Sequence, residues 1–153
     1  MPLVASSTDG RRRRIEVISE LAAPPEQVWE LWASPDRLAR WWGPPGHPMV
    51  VEHHDLREGG SVRFHVRLPG GTRIHARFEV LSASPPSTLL VTFHTEDLEP
   101  AMVDVGIAPV GDDRSRMTIA IGFPSDEAMQ DAVDIGFDRG VGLAAERQDG
   151  ALG

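Results

Sequence analysis

The sequence predicts an α+β fold: an antiparallel twisted sheet of about six or seven strands around a long C-terminal helix, with two short helices after the first strand. Three observations carry this. Apolar and polar residues alternate with period two in successive segments from Met49 to Phe123, separated by Gly- and Pro-rich turns. Met129, Val133, Phe137, Val141 and Ala144 then step by four or three along one helical face. All four tryptophans fall between Trp29 and Trp42, where two short apolar stripes close a core that the strands must supply.

In chain order, residues 1–10 are small and polar, and disorder is expected there. Arg11 to Arg14 form a solvated lead-in. Ile15, Val17, Ser19 and Leu21 alternate with Glu16, Ile18 and Glu20, which predicts the first strand. Pro25 suits the first position of a helix carrying Val28, Leu31 and Trp32 on one stripe. Ser34 is placed to cap a second helix, with Pro35 at its first position and Leu38, Trp41 and Trp42 on its stripe. Gly43-Pro44-Pro45-Gly46 stops that helix.

Strands are predicted over Met49–Leu56, Ser61–Leu68, Arg73–Leu81, Leu89–Thr95, Met102–Val110 and Arg114–Phe123. Glu96 to Pro100 make an acidic loop. Keeping Phe64, Val66, Ile74 and Phe78 on one face requires an odd loop, because a one-residue slip flips a strand. Three loop residues, Pro69-Gly70-Gly71, pair His65 with His75, Arg67 with Arg73 and Arg63 with Arg77. Ser125, Asp126 and Glu127 open the C-terminal helix. Gly136, Gly140 and Gly142 each cost it about 1 kcal/mol relative to alanine, so it needs tertiary support or lies close to the sheet. Residues 11–148 thus read as one domain, and 149–153 as a frayed end.

The composition excludes several chemistries. The chain has 153 residues and no cysteine, which removes disulfides, thiolate zinc sites and thiol nucleophiles. All 15 basic residues are arginine, so no lysine Schiff base can form. A net charge of −8 opposes general binding to nucleic-acid backbones. No apolar stretch reaches membrane-span length, and Met1 to Gly10 lacks the apolar centre of a signal peptide, so a cytoplasmic protein without membrane partners is expected.

Particular residues go further. Ala23-Pro24-Pro25-Glu26-Gln27-Val28-Trp29, Ser34-Pro35-Asp36 with Leu38, Trp41-Trp42-Gly43-Pro44, Asp55-Leu56-Arg57-Glu58-Gly59-Gly60, and Glu79-Val80-Leu81 with Pro85-Pro86 together resemble the SRPBCC or START-like helix-grip superfamily. Within it, the likeness is to the bacterial homologues of the activator of heat-shock-protein-90 ATPase, over about residues 12–146. The resemblance implies an elongated apolar cavity between sheet and long helix. Its members are described mostly as binders of small or lipid-like molecules, and include polyketide cyclases and a eukaryotic co-chaperone domain. No catalytic set is common to them. Two departures stand out: Gly136-Phe137 replaces a glycine-tryptophan pair, and Val141-Gly142-Leu143-Ala144 is less leucine-rich than usual. Both loosen that wall.

The candidate cavity lining is Trp42, Phe64, Val66, Phe78, Val91, Phe93, Val105, Ile119 and Phe137. A filled core and a lined cavity give the same alternation, so both readings stand. His54 and Asp55, with Arg57 and Glu58, cluster near the cavity mouth by chain order and are the candidates for acid–base catalysis in a cyclase-like enzyme. His47, His53 and His54 are the candidate metal ligands by residue type. His53 and His54 are adjacent and point to opposite faces of a strand, so no metal site and no cofactor are expected. His65, His75 and the four arginines beside them make an outer patch, relieved by Glu52 or Glu79. Three functions follow: a binder of an apolar small molecule, a cyclase-like enzyme, or a co-chaperone-like interaction domain. A homodimer is compatible with each.

Overall fold

A computed structural model describes residues 3–43, 46–47, 49–96 and 98–152. The Pro44-Pro45 helix stop, Asp97 of the acidic loop, Met1, Pro2 and Gly153 lie outside the described residues. The elements are strands β1 (Leu3–Asp9) and β2 (Arg14–Leu21), helices α1 (Pro25–Ala33) and α2 (Pro35–Trp41), then strands β3 (Met49–His54), β4 (Ser61–Arg67), β5 (Arg73–Ser84), β6 (Thr88–Thr95), β7 (Ala101–Gly111) and β8 (Arg114–Gly122). Helices α3 (Asp126–Asp134), α4 (Phe137–Ala145) and α5 (Gln148–Leu152) end the chain. The strands form one antiparallel sheet in the order β1-β2-β8-β7-β6-β5-β4-β3.

The sheet has eight strands, not six or seven. The additional one is β1, in the segment expected to be disordered. Its residues from Val4 to Asp9 are exposed, so hydrophobic patterning cannot reveal it. Backbone pairing with β2 holds it, from Leu3 opposite Ser19 to Asp9 opposite Arg14. The connecting turn is closed by Asp9 Oδ1, which accepts from the Arg11 amide at 3.0 Å, an Asx-type bond.

The single long C-terminal helix is corrected to three short ones. Gly136 adopts φ 81°, a left-handed conformation that glycine takes without a Cβ clash. It ends α3 and begins α4, and it throws Ile135 outward to 66% exposure. The end expected to fray is α5, whose Ala151 and Leu152 are buried. It packs on α1 and α2, so apolar burial holds this end down.

Local chemistry elsewhere matches the expected elements. Ser34 Oγ accepts from the Arg37 amide and Ser125 Oγ from the Ala128 amide, capping α2 and α3. The three-residue loop after Leu68 gives the register His65 opposite His75, Arg67 opposite Arg73 and Arg63 opposite Arg77. Gly60 is required by contact rather than by φ: a Cβ there would lie 2.3 Å from the Asp55 carbonyl oxygen.

The core lies between the inner sheet face and the helices. Trp32 and Trp41 are fully buried, with ring centroids 4.9 Å apart and planes at 88°. Both indole N–H groups are satisfied: Trp41 donates to the Leu31 carbonyl at 2.8 Å and Trp32 to Met117 Sδ at 3.2 Å. α4 runs over β1 and β2, with Gly142 facing Ser6. No helix among the described residues is long and apolar enough to cross a membrane.

Candidate functional site

The break at Gly136 shapes an apolar pocket. Because α4 lies over β1 and β2, it leaves space between itself, the tryptophan corner and the start of β5. The space has a volume of about 310 Å³ and is lined by Trp42, Gly43, Ile74, Ile135, Gly136, Phe137, Gly140, Val141 and Ala144. All are apolar or glycine. The volume lies near the lower end of the range for small-molecule sites. Arg147, just beyond α4, donates from Nη2 to the Gly43 carbonyl, which ties the helix end to the corner. Burial pushes the Arg147 guanidinium pKa down.

Of the nine residues nominated as cavity lining, Trp42 and Phe137 reach this pocket. Phe64, Val66, Phe78, Val91, Phe93, Val105 and Ile119 are buried in the core behind it. Their rings mesh: Trp42 meets Phe78 at 5.3 Å, Phe78 meets Phe93 at 5.6 Å, and Phe93 meets Phe137 at 5.9 Å. The elongated cavity is therefore corrected to a short pocket at one end, since these four rings, with Phe64 packed on Phe78 and Phe93, fill the middle. Ile74 was expected on the inner face; Ile135, Gly140, Val141 and Ala144 were not among the expected lining residues. The glycine-rich run Gly136–Gly142 was the signal for Gly140 and Val141, because glycines leave room where a helix would otherwise carry side chains.

His54 and Asp55 are not at the pocket. His54 Nε2 bonds the Trp32 carbonyl at 2.9 Å, and Asp55 pairs with Arg57 at 3.0 Å. The short strand end carries them toward α1 and the Gly59-Gly60 turn, so chain order misplaced them.

A second feature lies on the outer face of β3, β4 and β5. The register of β3 slips between Val51 and His53, which leaves Glu52 as the extra residue of a bulge. Bulges re-aim side chains. Here Glu52 Oε1 lies 2.6 Å from His65 Nδ1 and 4.0 Å from His75 Nδ1. The hydrogen bond from His65 holds the Glu52 carboxyl below its ordinary range; partial desolvation opposes it, and the electrostatic influence of His65, His75 and Arg63 adds to it. His65 is 5% exposed, and its Nε2 has no hydrogen-bond partner among the described residues, a condition that costs about 1–3 kcal/mol. The cluster borders a groove of about 240 Å³ that also meets Arg63, Arg77, His94 and Glu96. Arg77 pairs with Glu79 at 3.1 Å, so part of the arginine repulsion is relieved as expected. The candidate ligands by residue type, His47, His53 and His54, are not brought together; Glu52, His65 and His75 are.

One curled antiparallel sheet, helices inserted after β2 and following β8, and an apolar pocket between them define the helix-grip class of small α+β proteins. The chain belongs to the Activator of Hsp90 ATPase homolog 1-like protein family, whose model matches residues 22–147. Among solved structures it is similar to a protein from Arthrobacter aurescens, with 28% identity and a TM-score of 0.92 over 97% of this chain and 91% of that one. It is also similar to protein Ms6760 from Mycobacterium smegmatis, at 29% identity and TM-score 0.85, covering 99% and 98% of the two chains. The AHSA1 protein from Silicibacter pomeroyi shares the fold at 19% identity and TM-score 0.73, covering 91% and 96%. No curated protein matches the chain.

Proposed function

We propose that this protein binds one small apolar molecule in the pocket between Trp42, Ile74 and the α3–α4 break. One observation carries the reading: the lining holds no charged side chain, and it surrounds about 310 Å³. An apolar ligand gains about 25 cal/mol for each Å² it removes from water. A charged ligand would lose hydration there with nothing to replace it. Family membership supports the same reading, since these folds are used to hold ligands. The size favours a compact ring system over a long acyl chain, because the aromatic row closes the pocket's inner end.

The test is a titration with a neutral apolar fluorescent probe, N-phenyl-1-naphthylamine, against wild type and Gly140→Leu. A Cβ at Gly140 meets no heavy atom within 4 Å, and Gly140 lines the pocket, so a leucine there starts from open space and takes up pocket volume. Wild type should bind one probe saturably and Gly140→Leu about tenfold more weakly. Absent saturation in wild type, or equal affinity in the two proteins, rejects the pocket as a binding site.

A further inference from the structure

We infer that Glu52, His65 and His75 form a binding site for one divalent transition-metal ion on the outer face of the sheet, separate from the apolar pocket. Each of the three offers one ligand atom, and these atoms lie within 4.8 Å of one another. Two imidazoles and one carboxylate are the donor set of borderline d-block ions such as Zn²⁺, Co²⁺, Ni²⁺ or Fe²⁺ rather than of Ca²⁺ or Mg²⁺.

The backbone assembles the set from three strands. His65 and His75 are directly opposed across β4 and β5, and their ring centroids are 5.6 Å apart. The β3 bulge adds the carboxylate. Ligand atoms about 2.0–2.1 Å from a tetrahedral ion stand about 3.3 Å apart. The observed separations from Glu52 Oε1, 2.6 Å to His65 and 4.0 Å to His75, fall on either side of that value. Shifts of under about 1 Å bring both to it. His75 and Glu52 are exposed enough to make them. His65 is the fixed member: it is buried, and its Nδ1 is already held by the Glu52 carboxylate. An ion taken up at Nδ1 requires the Nε2–H tautomer, so the proton now bonded to Glu52 passes to the other nitrogen of the ring.

Three protein ligands leave coordination positions open, as in catalytic rather than structural sites. Glu52 and His75 border the groove together with Arg63, Arg77, His94 and Glu96. The arginines oppose a bare dication, so affinity is weaker than that of a closed structural site. They also favour an anionic oxygen as the completing ligand.

The experiment uses chelator-treated, untagged full-length protein. Zn²⁺ is titrated by calorimetry and Co²⁺ by its visible absorption. His75→Ala and Glu52→Gln remove exposed ligands and leave the buried His65 in place; His53→Ala, on the same strand, is the control. We expect one equivalent bound by wild type and by His53→Ala, with a Co²⁺ ligand-field band. Both cluster variants should bind about tenfold or more weakly while keeping the wild-type circular dichroism. No saturable one-equivalent uptake by wild type, or unchanged affinity in either cluster variant, overturns the site. Neither result bears on the apolar pocket, which the probe titration tests independently.

Discussion

Phe137 of α4 stacks on Phe93 of β6, with ring centroids 5.9 Å apart and planes inclined by 17°. This contact joins the C-terminal helices to the sheet and forms the inner end of the pocket. Behind it, Phe93 meets Trp42 edge-on at 5.8 Å. The aromatic row therefore sets the depth of the pocket.

Phe78 sits in the middle of that row. It is fully buried, with Trp42 and Phe64 each 5.3 Å away. Phe78→Ala should cost about 3–5 kcal/mol in urea unfolding, as for a tightly packed core ring. A cost below about 1.5 kcal/mol would show spare room that the structure does not contain.

Two glycines in one segment should respond with opposite signs. Gly140 lies inside α4 with open space at its Cβ position, so Gly140→Ala should stabilise the protein by about 0.5–1 kcal/mol. Gly136 has φ 81°, so Gly136→Ala should destabilise it by about 1 kcal/mol or more. Paired thermal melts check both. A stabilised Gly136→Ala would mean that α3 and α4 join into one helix.

Removing residues 149–153 should be costly. Leu152 and Ala151 are buried in α5, and α5 covers α1 and α2. Losing a buried leucine alone is worth about 1.5–3 kcal/mol. The truncated chain should unfold at lower urea; an unchanged midpoint would show that α5 contributes nothing.

Arg67 and Arg73 face each other across β4 and β5, and neither makes an ion pair among the described residues. Opposed like charges destabilise a strand pair. Arg67→Gln should raise stability by a few tenths of a kcal/mol at low salt, and the gain should shrink as salt screens the repulsion. A loss of stability would reveal a partner for Arg67.

The sequence by itself determined the α+β class, the two short helices at the tryptophan corner with the Ser34 cap between them, the register of the His65–His75 hairpin and the family. These depend on local chemistry: side-chain periodicity, proline at a helix start, loop length, and glycine at turns. Tertiary structure alone decided the rest. β1 exists because an exposed edge strand is held by backbone pairing, which leaves no apolar pattern to read. The C-terminal helix breaks because Gly136 takes a left-handed conformation, whereas its sequence is equally compatible with a costly but continuous helix. The pocket is short because Phe64, Phe78 and Phe93, from three different strands, pack with Trp42 and Phe137 behind it, and alternation shows only which face they share. Glu52 reaches His65 because β3 bulges at that residue. A bulge, a packing volume and a close approach are each set by residues distant in the chain, so no local stretch encodes them.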